Sequence, residues 1–95
     1  MYQIVYAKRF KKSLARLIKG GLKKSVQKEI IETIDLIASG SPLPSTYRDH
    51  QLHGVYAEYR ECHVQGDLLL MYQISNKELE LFMVNVGSHN DLFNQ

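Results

Sequence analysis

The stretch Phe10-Lys11-Lys12-Ser13-Leu14-Ala15-Arg16-Leu17-Ile18-Lys19-Gly20-Gly21-Leu22 decides how this chain folds. Phe10, Leu14, Leu17 and Ile18 stand at i, i+4, i+7 and i+8, the spacing of one apolar stripe on an α-helix whose other faces are basic. Gly20-Gly21 stops that helix, because glycine takes the left-handed backbone of a helix end at little cost. The same period resumes in Leu22, Val26, Ile30, Ile34 and Ile37, and Gly40-Ser41-Pro42 ends it. Two amphipathic helices joined by a glycine corner make a hairpin, and its apolar side must cover a second layer.

The flanking sequence supplies that layer. Tyr2 to Tyr6 alternates weakly, as a short first strand would. A proline-bearing connector from Pro42 to Gly54 leads to three strand-like runs near 55–64, 67–74 and 79–86. Asn76, Lys77 and their neighbours form a tight link, which predicts an antiparallel hairpin of the last two runs. Leu68 to Ile74 is apolar on both faces and is expected to be a central strand. The element order is β-α-α-β-β-β with a short C-terminal tail, an α+β fold in one domain over residues 1–95, without internal repeats.

Composition excludes several classes. At 44% hydrophobic and 23% charged, the chain suits a globular domain with a modest core. The longest apolar run, Leu68 to Tyr72, is too short for a bilayer, and Met1-Tyr2-Gln3-Ile4 lacks the basic-then-apolar order of a signal peptide. Cys62 is single, so no intrachain disulfide forms, and a reducing cytoplasm is the expected location. Charge is segregated. Residues 1–28 hold Lys8, Arg9, Lys11, Lys12, Arg16, Lys19, Lys23, Lys24 and Lys28 and no acid, whereas the remainder has three basic residues against ten acids, so the two parts carry +9 and −7. Such separation marks a face for a polyanion or an acidic protein, although lysines on an amphipathic helix also serve as its wet side.

The chemistry-bearing residues fall in the second half. All four histidines lie there, three of them in the blocks Tyr47-Arg48-Asp49-His50, Tyr59-Arg60-Glu61-Cys62-His63 with Asp67, and Gly87-Ser88-His89-Asn90-Asp91-Leu92-Phe93. Imidazole titrates near neutrality and moves protons without a cofactor. His63 and Asp67 share parity across Gly66, and His89 follows the last strand, where scaffolds present reactive groups. Each also has a plain reading: Asp67 as a turn cap, Phe93 as a core plug, Arg60 as an ion-pair partner of Glu58 or Glu61. The spacing His50-x-x-His53, even with Cys62 and His63, fits no strong zinc signature, so no metal or cofactor is expected.

Together the blocks Tyr47-Arg48-Asp49-His50-Gln51-Leu52-His53-Gly54, Tyr59-Arg60-Glu61-Cys62-His63-Val64 with Asp67, and Gly87-Ser88-His89 with Leu92-Phe93 closely resemble the YafQ branch of the RelE toxin superfamily, along the whole chain. The resemblance implies the toxin half of a bacterial type II toxin–antitoxin pair, with a basic helical hairpin packed on an antiparallel-rich sheet. It implies a ribosome-dependent, metal-independent endoribonuclease (an mRNA interferase) that cuts mRNA in the A site of the 70S ribosome by attack of a 2′-hydroxyl on its neighbouring phosphate. Carried over by position, the catalytic set is His50, His63, Asp67 and His89, and Phe93 stacks against or closes over a base. His89 is then the general acid, Asp67 or His50 the base, and His63 holds the phosphate or the partner imidazole. By the same resemblance, Lys8, Arg9, Lys11, Lys12, Arg16, Lys19, Lys23 and Lys24 are expected to dock on ribosomal RNA, and a cognate antitoxin is expected to cover these surfaces in a hetero-oligomer.

Two positions depart from the pattern. Asn85 stands where relatives usually carry an arginine, and Leu68 where some have tryptophan. An amide brings no charge to a developing phosphate dianion, so Arg48 or Arg60 is expected to bind substrate beside Asn85 and supply it. Two other readings stay open at this level. One is a toxin of the same fold that lacks nuclease activity and inhibits a protein target such as gyrase. The other is a histidine-bearing module that binds nucleic acid or metal without turnover.

Overall fold

The computed structural model describes residues 1–93 and contains β1 (Gln3–Tyr6), α1 (Lys8–Lys19), α2 (Lys24–Ala38), β2 (His50–Gln51), β3 (Arg60–Gln65), β4 (Leu68–Ser75), β5 (Glu80–Gly87) and α3 (His89–Phe93). The strands form one sheet in the order β1-β5-β4-β3-β2, with β1 parallel to β5 and the other pairs antiparallel. The expected α+β architecture is present. The glycine corner closes α1 as a Schellman turn: the Leu22 N–H bonds the Leu17 carbonyl and the Gly21 N–H bonds that of Ile18, both at 3.0 Å. Gly21 has φ 103°, a value that a side chain would resist.

The helical hairpin buries its stripe on one sheet face. Phe10, Ile30, Ile34 and Ile37 pack against Cys62, Leu70, Tyr72, Leu81, Met83 and Val86. Each fully buried large side chain of this kind contributes about 2 kcal/mol. On the other face Leu69, Met71 and Leu92 form a second cluster with Leu52, Tyr56, Tyr59, Val84 and Phe93. β4 is therefore covered on both sides, which is why its sequence is apolar at both parities.

Three local outcomes differ from the sequence expectation. The connector contributes β2, whose pairing with β3 no periodicity announces. The run near 55–64 becomes a strand only at Arg60, because Gly54–Tyr56 curls into a 3₁₀ turn with Gly54 at φ 66°. The C-terminal tail is the short helix α3, started by a reciprocal box in which the Ser88 N–H bonds the Asp91 carboxylate (3.1 Å) and the Asp91 N–H bonds the Ser88 hydroxyl (3.0 Å). Leu92 plugs the second cluster and so fixes α3 to the sheet.

Strand parity places the chemistry. Along β3, Arg60 and Cys62 face the helices, while Glu61 and His63 face the opposite side, across from Met71 and Leu69.

Candidate active site

Glu61 lies at the centre of an imidazole cluster. Its side chain is 4% exposed, and Oε1 is 3.5 Å from His50 Nε2, 3.7 Å from His63 Nε2 and 3.7 Å from His89 Nε2. A carboxylate so deeply buried requires positive charge or hydrogen-bond donors around it, and three imidazole nitrogens are the groups placed there. Three separate elements bring the rings there. His50 sits on β2 directly opposite Glu61, His63 is two residues along β3 on the same face, and His89 opens α3.

Each ring has a defined orientation. His50 donates its Nδ1–H to the Arg48 carbonyl at 2.6 Å, because a carbonyl can only accept, and this leaves Nε2 toward Glu61. His89 uses Nδ1 on the Asp67 carboxylate at 2.7 Å, and its backbone N–H reaches the same oxygen at 3.3 Å. The hydrogen bond from His89 holds the Asp67 carboxyl below its ordinary value, so Asp67 is anionic where imidazoles titrate. Gly66, at φ 49°, makes the turn that aims Asp67 at His89. His63 is 16% exposed, against 49% for His50 and 55% for His89, so the two accessible rings flank an enclosed one.

Beside these groups opens a cleft of about 390 Å³ lined by Arg48, His63, Asp67 and His89 together with Thr46 and the Val64–Gly66 turn. Arg48 is the cation of that lining, and it holds a left-handed backbone at φ 50°. Aromatic surface continues from the imidazoles. The His63 and His89 rings lie 5.6 Å apart, Phe93 is 6.2 Å from His89, and Tyr56 meets Phe93 edge-on at 5.0 Å. A cation and two imidazoles in the cleft, with the Phe93 ring beside His89, suit a phosphodiester with an attached base.

The structure thus brings together His50, His63, Asp67, His89, Arg48 and Phe93. It separates two others. Arg60 points to the helix side, where its half-buried guanidinium grips Asp49 (3.0 and 3.4 Å), so it does not line the imidazole cleft where substrate binding was expected of it. Asn85 is 7% exposed and does not line the cleft: its amide oxygen accepts the Ser13 hydroxyl at 2.6 Å and the Val86 N–H at 2.9 Å, which ties β5 to α1. A bulge between Met71 and Tyr72 in the β4–β5 register produces that turn of the side chain. Of the basic residues, Lys8, Arg9, Lys12 and Arg16 share a groove along α1.

Glu61 was not singled out by sequence reasoning. Between Arg60 and Cys62 it reads as an ordinary surface acid, and only its parity with His63 hinted otherwise. Tyr56 was missed similarly. Glu61, His63 and His89 also have ligand atoms within 4.8 Å of one another, so they form a donor set able to hold a metal ion. It differs from the His50, His53, Cys62 and His63 set considered from spacing, since Cys62 is buried on the opposite face with its thiol pushed up to about 12 by burial. No helix among the described residues is long and apolar enough to cross a membrane.

Known proteins resemble this chain in sequence and in fold. Residues 2–94 match the family model described as the bacterial toxin of a type II toxin–antitoxin system, YafQ. The Haemophilus influenzae YafQ protein is 35% identical over 94 residues, covering 95% of this chain and 92% of the relative. The mRNA interferase toxin YafQ of Escherichia coli K12 is 40% identical over 58 residues, 61% of each chain. A metal-bound toxin from Helicobacter pylori superposes with a TM-score of 0.87 at 41% identity, covering 98% of this chain and all of that one. The toxin of the E. coli DinJ–YafQ toxin–antitoxin complex superposes with a TM-score of 0.83 at 28% identity, covering 98% of each.

Proposed function

Because the chain belongs to the YafQ family of type II toxin–antitoxin toxins, we propose that it is an mRNA interferase that cuts mRNA in the ribosomal A site and is neutralised by a cognate antitoxin. The observation that carries this reading is the convergence of three imidazole Nε2 atoms on Glu61, with Asp67 behind His89. The E. coli relative named an mRNA interferase toxin supports the activity, and the DinJ–YafQ complex supports the kind of partner.

In this mechanism His50 Nε2 takes the proton of the 2′-hydroxyl. The 2′-oxygen attacks phosphorus, the P–O5′ bond breaks, and His89 Nε2 gives its proton to the leaving 5′-oxygen. The products are a 2′,3′-cyclic phosphate and a 5′-hydroxyl. Asp67 fixes the His89 tautomer and stabilises its imidazolium, the role a carboxylate plays behind a catalytic histidine. Glu61 stabilises each ring as it takes up a proton. His63 and Arg48 hold the phosphate, so Arg48 supplies the charge that Asn85 lacks. Phe93, braced by Tyr56, stacks on a base. The basic groove of α1 docks on ribosomal RNA, and the ribosome imposes the in-line geometry that these side chains alone do not.

The test is cleavage of a defined mRNA on programmed ribosomes with 3′ ends mapped, and His89→Ala alongside. Cleavage inside the A-site codon that leaves a cyclic phosphate, lost in the variant, is the expected result. Ribosome binding without cleavage would overturn the nuclease assignment. Absence of binding would direct the search to a protein target.

A further inference from the structure

We propose that Asp49, Arg60 and Tyr72, on the face of the sheet away from the cleft, are positioning residues that set His50 over Glu61. The proposal rests on His50 being part of the site described above. β2 is only two residues long, too short to hold a register by its own ladder, and it lies at the sheet edge. The residue before Asp49 is Arg48, whose left-handed backbone is unfavourable for a residue with a Cβ. Something else must therefore fix this segment.

The network behind the sheet does so. Arg60 Nη2 and Nε hold the two Asp49 carboxylate oxygens at 3.0 and 3.4 Å, and the Tyr72 hydroxyl donates to Asp49 Oδ1 as well. Arg60 Nη1 also reaches the Gln51 amide oxygen at 3.4 Å, while Gln51 Nε2 bonds the Tyr59 carbonyl at 3.0 Å. Arg60 and Tyr72 are directly paired across β3 and β4, so two rigid interior strands present the fork. Burial, followed by the hydrogen bond to Asp49, raises the Tyr72 phenol, so it stays a donor throughout the range in which proteins fold. Asp49 and Gln51 are thus clamped from one side, on either side of His50. Strand alternation then turns His50 to the other side, onto Glu61, while its Nδ1 is held by the Arg48 carbonyl. An ion pair beneath the sheet fixes the angle of an imidazole above it.

Tyr72→Phe and Asp49→Asn test this through two readouts on the intact chain: the imidazole ring resonances by NMR, and single-turnover cleavage on ribosomes. The His50 resonances are expected to move while those of His63 and His89 hold. The cleavage step is expected to fall about tenfold to a hundredfold with half-saturation for ribosomes unchanged, as misplacement of a reacting group does. Arg60→Lys, which keeps the charge and loses the fork, should behave like Asp49→Asn. A purely structural role would move all three rings together or lower the melting temperature without a selective change at His50, and either result overturns the proposal. So does an unchanged His50 in Tyr72→Phe, the variant that keeps the ring in the core if Asp49→Asn fails to fold. A shift confined to His50 upholds the network even if the unsubstituted protein cuts no RNA, a result that overturns the nuclease reading alone.

Discussion

Asp67 accepts both the ring Nδ1–H and the backbone N–H of His89, at 2.7 and 3.3 Å, so one carboxylate oxygen fixes the tautomer of the ring and the start of its helix. Asp67→Asn keeps the shape and removes the charge. Cleavage should fall about a hundredfold or more, since an amide no longer selects the Nδ1–H tautomer or stabilises the imidazolium. Equal rates for the two proteins would sink the assignment. The same contact has a pH signature. The Asp67 carboxyl is held below its ordinary 3.8 chiefly by the hydrogen bond from His89. Its contribution to stability is therefore present above about pH 4 and is lost as pH falls through the lowered value. Asp67→Asn should flatten that acid limb in a thermal-melt series.

Arg48 joins strain to function. Its φ of 50° is a conformation glycine adopts freely and other residues adopt at a cost on the order of 1 kcal/mol. Arg48→Gly should leave the melting temperature within a few degrees or raise it slightly, while loss of the cleft's cation lowers cleavage about a hundredfold. A variant that keeps full cleavage would show that the phosphate is held by other groups.

The legibility of this chain follows the range of the interactions involved. Helix periods and the Gly20-Gly21 corner are local, and they are read directly from residues 10–37. The two-sided burial of β4 is readable too, because a strand that is apolar at both parities needs cover on both faces. Glu61 is different. Its role depends on pairing β2 with β3 and on α3 folding back over the sheet, contacts that span about a dozen to nearly thirty residues. Arg60 and Glu61 are neighbours in sequence and lie on opposite faces. No spacing rule alone says which one meets the histidines, and the pairing of Arg60 with Asp49 rather than Glu58 or Glu61 depends on the same unseen register. Asn85 was legible as a departure from the family pattern, but the bulge that turns it toward Ser13 was not.

The donor set of Glu61, His63 and His89 makes an inhibitory prediction. Zinc takes imidazole nitrogen and carboxylate oxygen readily, and three protein ligands leave a position open. A bound ion would occupy His89 Nε2, which must carry the proton for the leaving oxygen, and would take up His63, which holds the phosphate. Added zinc should therefore suppress cleavage, and a chelator should restore it. Glu61→Gln should weaken zinc binding by about tenfold or more in calorimetry, since the charged ligand is lost while the volume is kept. Stimulation by zinc, at any concentration, would instead assign the ion a part in the reaction.

The groove of Lys8, Arg9, Lys12 and Arg16 on α1 should contribute affinity without chemistry. None of the four forms an ion pair among the described residues, so their charge is available to a polyanion. Each neutralised phosphate releases counterions, and the slope of log affinity against log salt changes by about 0.7 to 0.9 per contact. The double substitution Lys12→Ala, Arg16→Ala should therefore reduce the slope of ribosome binding by about 1.5 and weaken binding most at low salt. At saturating ribosomes the rate of the cleavage step should match that of the unsubstituted protein, because neither residue lines the imidazole cleft. A slope that does not change, with weaker binding at every salt concentration, would mean that α1 meets its partner through packing rather than charge. A lowered cleavage rate at saturation would mean that the groove helps to orient the RNA.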